Sequence, residues 1–124
     1  MKLAIVGSRN LKELDRIYHF ISSLPKDTEI VTGGAKGVDE IAEICARNLG
    51  LRVTVFKPEY DKYEGKIAPL IRNRKIVDYS DVVVGFWDGL SRGTKHTLKY
   101  ANKVKEKGKV TVVMCKWKFG VSLL

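Results

Sequence analysis

The sequence predicts an α/β fold: a Rossmann-like three-layer sandwich on a five-stranded parallel sheet in the order 3-2-1-4-5. Three observations carry that prediction. Short β-branched runs alternate with stretches of helical periodicity along the chain, as expected of strand–helix–strand crossovers. The runs Leu3–Val6, Val53–Phe56, Val82–Val84 and Val110–Val113 are continuously apolar, which reads as strands buried on both faces. Three glycine-rich or basic segments each follow such a run and precede a helical stretch: 6–9, 31–39 and 86–94. Glycine just before a helix leaves backbone N–H groups at the positive end of the helix dipole, which suits phosphate.

The elements follow in order. Strand 2–6 leads into a glycine turn. Helix 11–23 places Leu14, Ile17, Tyr18, Ile21 and Leu24 on one face and stops at Leu24-Pro25, because the residue before proline leaves the α region. Strand 28–32 precedes helix 38–49, whose inward positions are Val38, Ile41, Ala42, Cys45, Ala46 and Leu49, and which ends at Gly50. Strand 52–57 is followed by the polar connection Lys57–Lys66, which reads as a lid or a dimer contact. Helix 67–79 carries Pro69 in its first turn, where the missing N–H costs nothing. Its apolar positions Ile71, Ile76 and Val77 are interrupted by Arg72-Asn73-Arg74. Strand 82–86 precedes helix 93–107, which carries Thr94, Thr97, Leu98, Ala101 and Val104 inward and ends at Gly108. Strand 110–115 completes the sheet.

The 124 residues, 44% apolar, read as one domain spanning 1–124. No apolar run approaches the ~18 residues of a membrane span, and the apolar part of the N-terminus is too short for a signal peptide. A cytoplasmic location is the expectation. Cys45 and Cys115 read as buried thiols; His19 and His96 sit apart from any paired-cysteine spacing, so neither a metal nor a cofactor is expected. The formal charge is +9, much of it from Lys95, Lys99, Lys103, Lys105, Lys107, Lys109, Lys116 and Lys118. These lysines lack the interleaved aromatics of a single-strand stacking track. They predict weak, sequence-indifferent attraction to nucleic acid set against a simple solvated helix face.

The topology places a crevice between strands one and four, at their carboxyl ends, where ligands bind in such sheets. Gly7-Ser8-Arg9 gives a tight turn, a hydroxyl and a guanidinium there. It is not the dinucleotide fingerprint, which needs three glycines. Gly33, Gly34 and Gly37 permit positive φ and close backbone approach. Lys36 adds charge, and Asp39 reads either as a partner for first-turn N–H groups or for a ribose hydroxyl. The segment is not a Walker A loop, because Val38 follows Gly37. Helical spacing sends Arg72 and Arg74 about 200° apart, so one faces the crevice and one faces solvent, with Asn73 beside them. In the third segment, N–H groups of Gly93 and Thr94 with the hydroxyls of Ser91 and Thr94 suit a phosphate. Arg92 adds charge, Gly89 a turn, and Asp88 a partner for a sugar hydroxyl or a water. The expected ligand is a nucleotide or nucleotide-derived, phosphate-bearing small molecule, bound for sensing or signalling by a homodimer. No nucleophile–base pair is legible.

Taken together, Gly7-Ser8-Arg9, the segment Thr32–Asp39, Gly65-Lys66, Ile71-Arg72-Asn73-Arg74, Ser80-Asp81 and the segment Phe86–Thr94 resemble the SLOG superfamily, most nearly its small YspA/YpsA-like branch. The resemblance covers nearly the whole chain and implies a Rossmann-like sheet that binds nucleotides or their derivatives. The superfamily also holds the molybdenum-cofactor carrier-like proteins. Two further relatives imply other functions. The LOG phosphoribohydrolases cleave the N-glycosidic bond of nucleoside monophosphates with an arginine, matched by Arg72, and a glutamate in a Gly-Gly-x-Gly-Thr-x-x-Glu loop. Gly93-Thr94 matches that loop's Gly-Thr, while His96 and Thr97 stand where its acidic residues would be. The DprA-like proteins bind single-stranded DNA; their Gly-x-Ala-x-Gly-x-Asp and Arg-Asn-Arg-x-Ile segments are matched within Gly33–Asp39 and by Arg72 to Ile76.

Overall fold

A computed structural model describes residues 1–11 and 14–115. Its element order is β1 (Lys2–Gly7), α1 (Leu14–Ser22), β2 (Glu29–Thr32), α2 (Val38–Asn48), β3 (Arg52–Val55), α3 (Ala68–Tyr79), β4 (Val82–Trp87), α4 (Arg92–Val104) and β5 (Val110–Met114). All strand pairs are parallel, in the order β3-β2-β1-β4-β5, as the sequence predicts. Residues 12 and 13 of the expected first helix lie outside the described residues, as do Lys116 and Lys118.

Two apolar clusters make the three layers. Ile17 and Ile21 of α1 and Ala42, Cys45 and Ala46 of α2 pack with Leu3 and Ile5 on one face of the sheet. Ile76 and Val77 of α3 and Leu98 and Ala101 of α4 pack with Ala4, Val6 and Val83 on the other. Alternate residues of β1 therefore feed opposite cores, which is why its run is continuously apolar. Gly85 lets α4 approach β4, since a Cβ there would lie 2.6 Å from the Leu98 side chain.

Several expectations are corrected. The runs of β3 and β5 are not buried on both faces: Val53–Val55 are half-buried, and Thr111 and Val112 are exposed. Both are edge strands, and edge strands lose cover on one side. Tyr18 and Val104 leave the cores, at 46% and 47% exposure. The α4 helix ends at Val104 rather than at Gly108; Gly108, at φ 90°, instead turns the chain into β5. Cys45 and Cys115 are both buried. Among the described residues, no helix is long and apolar enough to cross a membrane, and no cluster of His, Cys, Asp and Glu could hold a metal ion. The connection 57–66 is tied to α3 by Glu59, which pairs with Lys75 and Lys62.

Candidate functional site

The carboxyl ends of β1 and β4 open into a cleft of about 190 Å³. Its floor is Val6 and Gly7 of β1. Arg9, Ala35, Lys36 and Asp39 form one wall, Pro69, Leu70, Arg72 and Asn73 of α3 a second, and Ser91, Gly93, Thr94 and Thr97 at the start of α4 a third. Of the residues singled out in the sequence, Gly7, Arg9, Lys36, Asp39, Arg72, Asn73, Ser91, Gly93 and Thr94 line this space. Ser8, Gly33, Gly34, Gly37, Asp88, Gly89 and Arg92 do not. The sequence reading missed Val6, Ala35, Pro69, Leu70 and Thr97 as lining. The first two sit inside segments it had singled out, and the others sit one helical turn from Asn73 or Gly93, which was the available signal.

Most residues outside the lining hold the loops that form it. A Cβ on Gly37, at φ 85°, would sit 2.5 Å from the Arg9 carbonyl oxygen, so this glycine lets the first two motifs meet. Gly33 is wedged against the Arg72 guanidinium and the Asp39 carboxylate, 2.8 and 2.9 Å from where its Cβ would be. Ser8 ties the ends of β1 and β4 together: its N–H donates to the Phe86 carbonyl at 3.1 Å, and its hydroxyl accepts the Asp88 N–H at 3.2 Å. Asp88 Oδ1 accepts the N–H groups of Leu90 and Ser91, both at 2.8 Å, so that oxygen shapes the turn. Gly89 follows at φ 79°. The Thr94 N–H is likewise engaged, donating to the N-cap oxygen of Ser91 at 3.4 Å.

Arg72 and Asp39 bring opposite charges to the heart of the cleft. Arg72 donates to the Gly33 carbonyl, to the Phe56 carbonyl at 3.5 Å and, through Nε, to Asn73 Oδ1 at 2.7 Å. Arg74, on the opposite side of α3, lies exposed over the Tyr100 ring; the expected split of the two arginines is observed. Asp39 does not cap α2. Its Oδ2 accepts the Gly33 and Ala35 N–H groups at 3.1 and 3.4 Å, bracing the loop before the helix. Burial pushes its carboxyl up to about 6, against the pull of Arg72 and the two amides. Burial also lowers Arg72 from its ordinary value, partly offset by Asp39. The guanidinium stays charged at neutral pH.

Among the described residues, Asp39 is the sole carboxylate lining the cleft, and no aromatic ring lines it. Phe86 is buried in the core, and Trp87 donates through Nε1 to the Ser91 carbonyl at 3.0 Å. Thr97 turns its hydroxyl onto the Gly93 carbonyl at 2.9 Å, whereas His96 lines a separate groove.

No family model matches the chain. By structure it is similar to DNA processing protein A (DprA) of Streptococcus pneumoniae, at TM-score 0.76 and 21% identity over 90% of this chain and 49% of that one. It is also similar to DprA of Helicobacter pylori, described for its single-stranded DNA binding mode, at TM-score 0.71 and 26% identity over 90% of this chain and 64% of that one. A third similar structure is the protein TM1055, at TM-score 0.63 and 19% identity over 89% of this chain and 76% of that one. The chain thus spans about half of the pneumococcal protein, and shares with these proteins the Rossmann-like core expected of the SLOG superfamily. Sequence similarity to a component of DNA topoisomerase 4 of Staphylococcus epidermidis, at 23% identity, covers 88% of this chain and 16% of that protein. The Gene 61 protein of Mycobacterium phage D29 is 32% identical over 111 residues, which span 82% of this chain and 89% of that protein. At that identity and extent, the chain belongs to the family of the phage D29 Gene 61 protein.

Proposed function

We propose that the cleft binds the phosphate of a nucleotide or nucleotide-derived small molecule, for sensing rather than turnover. One observation carries this reading: Arg9, Lys36 and Arg72 line a single cleft together with Ser91, Gly93 and Thr94 at the start of α4, against one carboxylate. The start of α4 adds its dipole, and a Cβ on Gly93 would meet nothing within 4 Å, so an oxyanion has room beside it. The reading fits the YspA/YpsA-like branch, with 1–124 acting as one cytoplasmic domain and pairing as a homodimer.

Calorimetric titration with a panel of nucleoside mono- and diphosphates tests the proposal. Wild type is expected to bind at least one of them. Arg72→Ala should weaken that binding by roughly tenfold or more, the worth of a hydrogen bond to a charged group. Gly93→Asp should abolish it while leaving the fold intact, since a carboxylate in a first helical turn suits the helix dipole. A panel without a ligand, or unchanged affinity in both variants, would sink the reading. Hydrolysis of the N-glycosidic bond, the enzymatic alternative, is disfavoured. An oxocarbenium-like transition state needs a carboxylate beside the sugar, and Asp39 is committed to two loop amides. Chromatography is expected to show no free base from adenosine, guanosine or cytidine monophosphate.

The likeness to H. pylori DprA favours a second reading, in which the same cleft holds a nucleotide of single-stranded DNA. The lack of an aromatic among the described lining residues speaks against it, because stacking supplies about 1–3 kcal/mol per base in such binders. Submicromolar oligonucleotide binding at physiological salt that collapses in Arg72→Ala would establish this second reading.

A further inference from the structure

A second groove, of about 200 Å³, runs between α3 and α4 outside the cleft, and Arg74, His96, Lys99, Tyr100 and Lys103 line it. The α4 sequence contains no acidic residue from Arg92 to Val104. His96, Lys99, Tyr100 and Lys103 recur at three- and four-residue intervals, which places them along one face. Arg74 approaches from α3 and rests over the Tyr100 ring, 5.1 Å from its centre. The acidic group beside them, Asp78, accepts the Tyr100 hydroxyl at 2.8 Å. Among the described residues, the side-chain ion pairs engage Glu43 and Glu59 and leave Arg74, Lys99 and Lys103 out.

We propose that this groove is a separate anion-binding surface fitted to the phosphodiester backbone of a nucleic acid strand. An isolated lysine in water needs no partner. Here three cations share the walls of one concave surface, and their fields add where a polyanion would lie. Tyr100 is half-buried, with its hydroxyl held by Asp78 and one face under Arg74, so it props the arginine instead of offering a platform for bases. The groove is therefore suited to charge and not to sequence. Its grip depends on the counterions that a phosphate backbone releases, and falls steeply with salt. The surface does not depend on the cleft having a ligand.

The test is fluorescence anisotropy of a labelled oligothymidylate across a salt series. Wild type is compared with Lys99→Glu/Lys103→Glu, with the milder Lys99→Gln/Lys103→Gln, and with Lys26→Glu/Arg52→Glu. The last changes net charge equally at exposed positions away from the groove. Arg72→Ala reports on the cleft. The groove pair is expected to lose about tenfold or more in affinity at low salt, with a log–log salt slope shallower by about 1.4, as two lost contacts to a single strand require. The glutamine pair should lie between, and serves alone if circular dichroism shows the glutamate pair unfolded. The distant pair should stay close to wild type. Equal losses in the groove and distant pairs would reduce the effect to net charge and overturn the proposal. A loss confined to Arg72→Ala would move the contact to the cleft and overturn it, as would a wild type that does not bind. Phosphatidylserine vesicles form the last arm. If wild type binds them as tightly as the oligonucleotide and the groove pair loses both, the partner is a membrane surface and the nucleic acid assignment fails.

Discussion

Asp39 is 6% exposed, and its carboxyl is pushed up to about 6 by burial. Its unfolded value is near 3.9, so between those limits the folded chain holds a proton that the unfolded chain has released. Stability contributed at this site therefore grows as pH falls from 7 through 6 and towards 4, opposite to the usual salt-bridged carboxylate. The full change is on the order of 3 kcal/mol. Urea unfolding of wild type and Asp39→Asn at pH 7 and pH 5 should show the asparagine variant gaining relative stability at pH 7, with the gap closing at pH 5. A gap that does not depend on pH would show that the carboxyl titrates normally. Gly33 is the neighbouring constraint. Gly33→Ala would drive a methyl into the Arg72 guanidinium and Asp39, and is expected to cost about 1–3 kcal/mol, the usual range for overpacking. A variant as stable as wild type would mean that the Arg72 side chain simply moves aside. The divergence of Arg72 and Arg74 was legible from helical period alone. The role of Ser8 was not, because its hydroxyl accepts a backbone N–H far away in sequence and only strand pairing brings the two together.

At the level of elements, the start of α4 and the end of β2 make opposite use of a hydroxyl. Ser91 Oγ accepts the Thr94 N–H, so Ser91→Ala should cost about 1 kcal/mol through the lost cap. Thermal unfolding without ligand measures this. Thr32, fully buried at the end of β2, has no hydrogen-bond partner for its Oγ1 among the described residues. Thr32→Val removes that hydroxyl while keeping the β-branched shape, and is expected to stabilise the protein by about 1 kcal/mol. A destabilised valine variant would show that the hydroxyl is satisfied in solution. Every strand and helix was readable from apolar runs and periodicity, with ends shifted by a few residues. The half-exposure of β3 and β5 was not read from their composition. It follows from sheet order, since a run of valines looks the same at an edge as in the centre. The early end of α4 escaped for a related reason: Lys105–Lys107 carry no breaker, and Gly108 drew the boundary to itself.

For the molecule as a whole, the sheet separates the cleft and the basic groove by face and by edge. The α1–α2 side is core against solvent, while the carboxyl edge holds the cleft and the α3–α4 side carries the basic groove. Ligand binding to the native state alone should raise stability by about 2.7 kcal/mol at a hundredfold excess over the dissociation constant. Thermal shift with the best nucleotide of the panel should therefore raise the midpoint of wild type and leave Arg72→Ala unmoved. An equal rise in both would place the ligand elsewhere. The crevice itself was legible because strand order alone dictates where a doubly wound sheet opens. The basic groove was visible only as lysines in a row, since its other wall comes from α3 and depends on how the two helices pack.

The hydrogen bonds of Arg72 bear on what selectivity the cleft can have. The guanidinium is fastened to Gly33, Phe56 and Asn73 before any ligand arrives. A surface arginine must give up rotamer freedom on binding, on the order of 0.5–1.5 kcal/mol; this one has surrendered it in folding. The cleft thus presents a fixed plane instead of a mobile charge, and a planar fork discriminates by the angle of an oxyanion as much as by its charge. Ligands of equal charge but different geometry, such as a nucleoside monophosphate and a dicarboxylate, should then be separated by orientation rather than by attraction.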